Sequence, residues 1–171
     1  MATLLAALTL ALVGYSDDDP EPKFLPTESS SPSEPSSSPT TEPTDVRDPE
    51  QTVLAWVDAR NVTVQSGDTT AVDALTAPTC ETCRNSVDAV VRIYDQGGHY
   101  ETSGWEVVKS RVVNESEQSA KLSVDLLYDA GRTYPSAGAD PIAYREERHT
   151  AIFRLSHETS GWLVEFIGYL S

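Results

Sequence analysis

Several kinds of residue are scarce in this chain of 171 residues, and each scarcity excludes something. Basic residues come first: 12 Lys and Arg stand against 27 Asp and Glu, a formal net charge of −15. A phosphate backbone attracts basic surfaces and repels acidic ones, which argues against a nucleic-acid partner. Electrostatic docking on anionic lipid is disfavoured on the same ground. Histidine and cysteine number three and two. Structural zinc takes four ligands, and a single closely spaced Cys pair with scattered histidines does not supply them. No apolar run reaches the ~20 residues that a membrane-spanning helix needs. The GxSxG, GxGxxG, P-loop and EF-hand signatures are all missing. His157-Glu158 opens like the zinc-peptidase motif HExxH, but Gly161 occupies the second His position. No cofactor and no metal is therefore expected, and no motif names a substrate.

What is present is unevenly distributed. Residues 2–14 carry no charge and are mostly Leu and Ala. This run has the length and composition of a secretory h-region, although no Lys or Arg precedes Lys23. Leu12-Val13-Gly14-Tyr15-Ser16, followed by three aspartates, resembles the lipobox of bacterial lipoproteins. Tyr15 stands where that signal has its lipidated Cys, and tyrosine has no thiol for thioether lipidation. Residues 16–50 then hold eight of the eleven prolines, eight serines, ten acids and two bases. Between 16 and 47 only Phe24, Leu25 and Val46 are large and apolar. So little apolar surface cannot offset the entropy of ordering, and the frequent prolines block helix and sheet ladders. The division expected is a signal-like segment at 1–15, a disordered acidic Pro/Ser/Thr linker at 16–47, and a folded domain at 48–171. Membrane contact is expected only through the first of these.

The folded part opens on helices. Asp48-Pro49-Glu50-Gln51 combines a cap, a proline at the first helical position and capping-box spacing. Val53, Leu54, Trp56, Val57 and Arg60 follow at helical spacing, with Gly67 as the stop. A short helix with Val72 and Leu75 inward should end before Pro78. Thr79 is expected to cap a third, whose face is Cys83, Val87, Val90, Val91 and Tyr94, closed by Gly97-Gly98. Beyond Gly98 the period becomes alternating. Trp105–Val113 is β-branched and aromatic without cleanly separated faces. Leu122, Val124, Leu126 and Tyr128 form one strand face, and His149, Ala151, Phe153 and Leu155 another. Trp162, Val164 and Phe166 are expected on one face of the last strand, after a hairpin turn at Glu158–Gly161. Residues 130–141 are expected as a loop. Helices first and strands afterwards predict an α+β fold: three N-terminal helices on one face of a curved four-stranded antiparallel sheet.

Gly67-Asp68, Cys80-Glu81-Thr82-Cys83, Tyr94-Asp95 with Gly97-Gly98, and Gly104-Trp105 occur in that order. Together they resemble an actinobacterial secreted lipoprotein family, domain of unknown function 6318, over roughly residues 48–171. The resemblance implies a tethered extracellular domain with a nuclear-transport-factor-2-like cone fold. It implies no activity.

Cys80 and Cys83 are the sharpest chemical signal. Their spacing at the first turn of a helix allows a disulfide, which persists outside the cytoplasm. A redox dithiol is the alternative, since a helix N-terminus lowers a thiol's pKa. Against it, helices rather than a βαβ unit precede the pair, and Glu81 lies between the sulfurs. Trp56, Tyr94, Trp105 and Phe153 are candidates to line a pocket under the sheet, with His149 as its polar group. They could equally fill the core. Asn61-Val62-Thr63 and Asn114-Glu115-Ser116 are glycosylation sequons, meaningful only in a eukaryotic secretory route. The function expected is a non-enzymatic, extracytoplasmic binding domain on a flexible stalk, its partner an envelope protein or a small ligand. The alternatives are an isomerase or dehydratase using that pocket, and a thiol oxidoreductase.

Overall fold

The computed structural model describes residues 47–170. The signal-like segment, Tyr15 and all but the last residue of the linker lie outside the described residues.

Local chemistry sets the helix ends. In α1 (Pro49–Ser66) the Asp48 carboxylate accepts from the Gln51 N–H at 2.8 Å, and the Gln51 side chain accepts from the Asp48 N–H at 3.1 Å. This is the reciprocal capping box. Gly67, at φ 76°, closes α1 by donating its N–H to the Thr63 carbonyl. The second expected helix shrinks to a single turn, α2 (Thr70–Asp73). α3 (Glu81–Asp95) starts one residue later than its expected cap: Cys80, not Thr79, is the N-cap, and its sulfur accepts from the Cys83 N–H. The Gly97 and Gly98 N–H groups donate to Tyr94 and Ile93 at the other end, a Schellman closure.

Seven strands follow: β1 (His99–Glu101), β2 (Trp105–Glu115), β3 (Ser119–Tyr128), β4 (Gly131–Tyr134), β5 (Ile142–Tyr144), β6 (Glu147–Glu158) and β7 (Gly161–Tyr169). They form two antiparallel sheets rather than one, a correction to the expectation. The expected four-stranded sheet is there, in order β2-β3-β6-β7. The unexpected one, β1-β4-β5, is built partly from the stretch expected to be a loop.

The core lies between the large sheet and α1 with α3. Val53, Trp56 and Val57 of α1 meet Leu122, Val124, Leu126, Ala151, Phe153 and Leu155 of β3 and β6. These are the inward faces expected of those two strands. Leu54 departs from expectation: it is 44% exposed, because it points off the core-facing side of α1. The last strand departs as well. Leu155 pairs with Val164 and Arg154 with Phe166, so Glu165 is an extra residue in β7. A bulge inverts the alternation beyond it. Ile167 is consequently buried, and Phe166 lies on the opposite face under the Arg154 guanidinium. Two similar register shifts in β2, at Val108 and Val113, account for its poorly separated faces.

A backbone link holds the far edge of the sheet. Ala77 donates to the Val164 carbonyl at 2.8 Å, and Val164 donates to the Leu75 carbonyl at 2.9 Å. The segment before α3 thus covers the β7 edge, which would otherwise present unpaired groups.

Candidate functional site

Arg60 is the charged residue on the core-facing side of α1, four residues after Trp56 and four before Val64, both buried. Its guanidinium carbon lies 3.4 Å from the centroid of the Trp105 ring, a cation–π contact across the α1–β2 interface. Its Nε donates to Ser86 Oγ of α3 at 3.2 Å. Among the described residues, no carboxylate forms an ion pair with Arg60. Burial lowers its pKa, while Tyr169, Tyr128, Tyr100 and Tyr144 act in the opposite direction. A guanidinium remains cationic under any such shift at neutral pH.

Trp105 is held by a two-point clamp. The Asn61 amide donates to the Trp105 carbonyl at 2.8 Å, and the Trp105 N–H donates to Asn61 Oδ1 at 2.9 Å. One side chain of α1 thus pairs with the β2 backbone as a neighbouring strand would. Gly104 sits against this amide at φ +96°, and a Cβ there would collide with Asn61 Oδ1. The Asn61 sequon is therefore occupied structurally: its amide nitrogen is engaged, and Thr63 is buried.

Arg60 and Trp105 border a cavity of about 370 Å3. It lies between α1 and α3, with Tyr100 and Tyr144 of the small sheet and Trp105 and Tyr128 of the large one on its walls. The Tyr128 and Trp105 rings stack at 4.5 Å between centroids. The Tyr128 hydroxyl is buried, and the Tyr169 ring meets the Tyr128 ring edge to face. Burial, reinforced by Tyr169, raises the Tyr128 pKa, so the phenol keeps its proton and can donate it. Arg145, Asp129 and Glu147 also line the cavity.

The five residues proposed from sequence as a pocket are dispersed. Trp105 is on the cavity wall. Trp56 and Phe153 are fully buried in the core and edge to face with each other; Trp56 Nε1 donates to Thr76 Oγ1 at 2.9 Å. Tyr94 donates its hydroxyl to the Val64 carbonyl and packs on Tyr100 beside the cavity. His149 is outside it, across Tyr128, with Nε2 3.2 Å from Glu147 Oε2. Arg60, Tyr100, Tyr128 and Tyr144 are what sequence reasoning left out of the site. A cation on the apolar face of α1 was the available signal for Arg60.

Cys80 and Cys83 lie at disulfide distance, Cα to Cα 5.3 Å, and both are buried. Among the described residues, no group of three or more His, Cys, Asp or Glu could hold a metal ion, and no helix is long and apolar enough to cross a membrane.

The fold and the cavity define a class: an α+β domain whose helices and antiparallel sheets border a small hollow with four aromatic residues in its lining. The chain belongs to the family of unknown function DUF6318, whose model matches residues 32–166. No curated protein matches it. Among solved structures it is similar to the intermembrane space region of chloroplast protein ARC6, at 13% identity over 71% of this chain and 93% of that one, TM-score 0.55. At that identity the likeness concerns the fold alone. Weaker likenesses are to a chain named Rd1NTF2_05 (12% identity, 72% and 100% covered, TM-score 0.45) and to a Xanthomonas campestris chain named as a calcium/calmodulin dependent protein kinase II association domain (12%, 72% and 87%, TM-score 0.43).

Proposed function

We propose that this protein is a non-enzymatic binding domain of the cell envelope, carried on a flexible stalk, with the Arg60 cavity as its ligand site. The observation behind this reading is the Arg60 guanidinium, which stands on the wall of the hollow with no carboxylate paired to it among the described residues. Buried polar groups are normally satisfied, so a site of this kind is built for something that satisfies them. The cavity is at the small end of the ~300–1,000 Å3 typical of ligand pockets. Its place between helices and sheet suits a nuclear-transport-factor-2-like cone.

An extracytoplasmic setting is supported by the apolar run at 2–14, the acidic Pro/Ser/Thr stretch, and a Cys pair positioned for a disulfide. An actinobacterial lipoprotein lineage fits the same features, with Tyr15 in place of the lipidated Cys. The oxidoreductase alternative is the weaker one, because both sulfurs are buried and a redox pair needs an accessible thiol. An acid–base enzyme would have to use Asp129 or Glu147, since His149 lies outside the cavity.

Two experiments test the proposal. Neutral, cationic and anionic fragments are titrated into the full chain while backbone and indole NMR signals are followed. Shifts concentrated at Tyr100, Trp105, Tyr128 and Tyr144 support a ligand site; shifts scattered over the surface count against it. Fractionation of a bacterial host expressing the chain should place it outside the cytoplasm, and cytoplasmic retention would overturn the envelope setting.

A further inference from the structure

We propose that the Arg60 cavity selects a small organic monocarboxylate, its carboxylate on the Arg60 guanidinium, its apolar body against the aromatic wall. This rests on the cavity being a ligand site and adds the chemical class of the ligand.

The Arg60 guanidinium has no carboxylate partner among the described residues. A guanidinium has five N–H donors and no acceptor. Only Nε is engaged among the described residues, on Ser86 Oγ at 3.2 Å. A ligand that completes it must therefore present acceptor oxygens. Charge narrows the choice further. A cation removed from water is costly unless paired, and no protein carboxylate pairs with this one among the described residues. The missing partner is an anion. The lining carries two cations, Arg60 and Arg145, and two acids, Asp129 and Glu147, and a singly charged anion disturbs that balance less than a doubly charged phosphate. A planar carboxylate also fits the guanidinium fork with two parallel hydrogen bonds. Much of the remaining lining is apolar, Tyr100, Trp105 and Tyr144 with Val64, Ala89 and Val90, and suits an apolar or aromatic body.

The test is a titration of the full chain with benzoate, with its neutral isostere benzamide, and with inorganic phosphate, followed by the Trp105 indole N–H signal and by calorimetry. Benzoate should bind about tenfold or more tightly than benzamide, the advantage expected of a charge-assisted pair over a neutral one. Arg60→Gln should abolish that preference. Equal binding of benzoate and benzamide overturns carboxylate selection and leaves the ligand site standing. Phosphate binding more tightly than benzoate overturns the monocarboxylate. A Trp105 signal that responds to none of the three overturns both readings.

Discussion

Replacing Asn61 by Ala removes the clamp that fixes Trp105 to α1. Two hydrogen bonds disappear, at 2.8 and 2.9 Å, and the Trp105 N–H and carbonyl lose their partner in a half-buried position. Each such bond contributes ~0.5–1.5 kcal/mol net, and a backbone group left unsatisfied costs more than the bond's net value. The expected loss is therefore about 2–3 kcal/mol, a large fraction of the ~5–15 kcal/mol that holds a domain together. Equilibrium denaturation in urea measures it as a lowered midpoint at unchanged slope. Asn61→Asp is the informative companion. It keeps an acceptor for the Trp105 N–H and replaces the donor with an oxygen facing the Trp105 carbonyl, so it should cost at least one bond, about 1 kcal/mol. Both variants should also loosen the cavity wall and broaden the Trp105 indole signal. A loss for Asn61→Ala below about 0.5 kcal/mol would refute the reasoning, because water would then replace both bonds without cost.

Other outcomes follow from the same contacts. Phe153→Ala empties a fully buried site beside Trp56 and should cost about 3–5 kcal/mol by denaturation. Removing the Cys80–Cys83 link by a double Ser substitution should cost about 2 kcal/mol, since so small a ring restrains the unfolded chain little; mass spectrometry of the native chain should show the link closed. Gly104→Ala should destabilise by displacing Asn61 and straining a positive φ, and should be non-additive with Asn61→Ala. Alkaline pH should destabilise the fold. Burial raises the Tyr128 pKa, so the native state holds that proton more tightly than the unfolded state does. The contribution is fully present below the unfolded phenol value of about 10 and is lost as pH rises through the native one. Tyr128→Phe should flatten the alkaline arm of a stability-against-pH curve; an unchanged arm would contradict this.

Much of the framework was legible in the sequence, because it is encoded by neighbours. The Asp48–Gln51 capping box, the Gly67 and Gly97-Gly98 stops, the alternating faces of β3 and β6 and the two-residue turn before Gly161 each depend on residues a few positions apart. What escaped depends on distant pairings. β1, β4 and β5 are three or four residues long, and most of their residues are half-buried or exposed, so no buried alternation marks them. The Phe166 face was misassigned because a single bulge at Glu165, invisible in composition, inverts the strand beyond it. The site was least legible. Arg60 stands at a visible position on α1, but its lack of a carboxylate is a fact about α3, β2 and the small sheet together. Trp56 and Phe153 could not be told from wall residues by pattern, since core and cavity draw on the same aromatic side chains.

The central claim is that the Arg60 cavity is completed by an anionic ligand. A crystal structure of the full chain grown with benzoate tests it most directly. The prediction is a carboxylate within hydrogen-bonding distance of the Arg60 guanidinium, with the ring against the aromatic wall of the cavity. Benzoate bound only elsewhere, or an acidic side chain of the protein itself seated on Arg60, would contradict it.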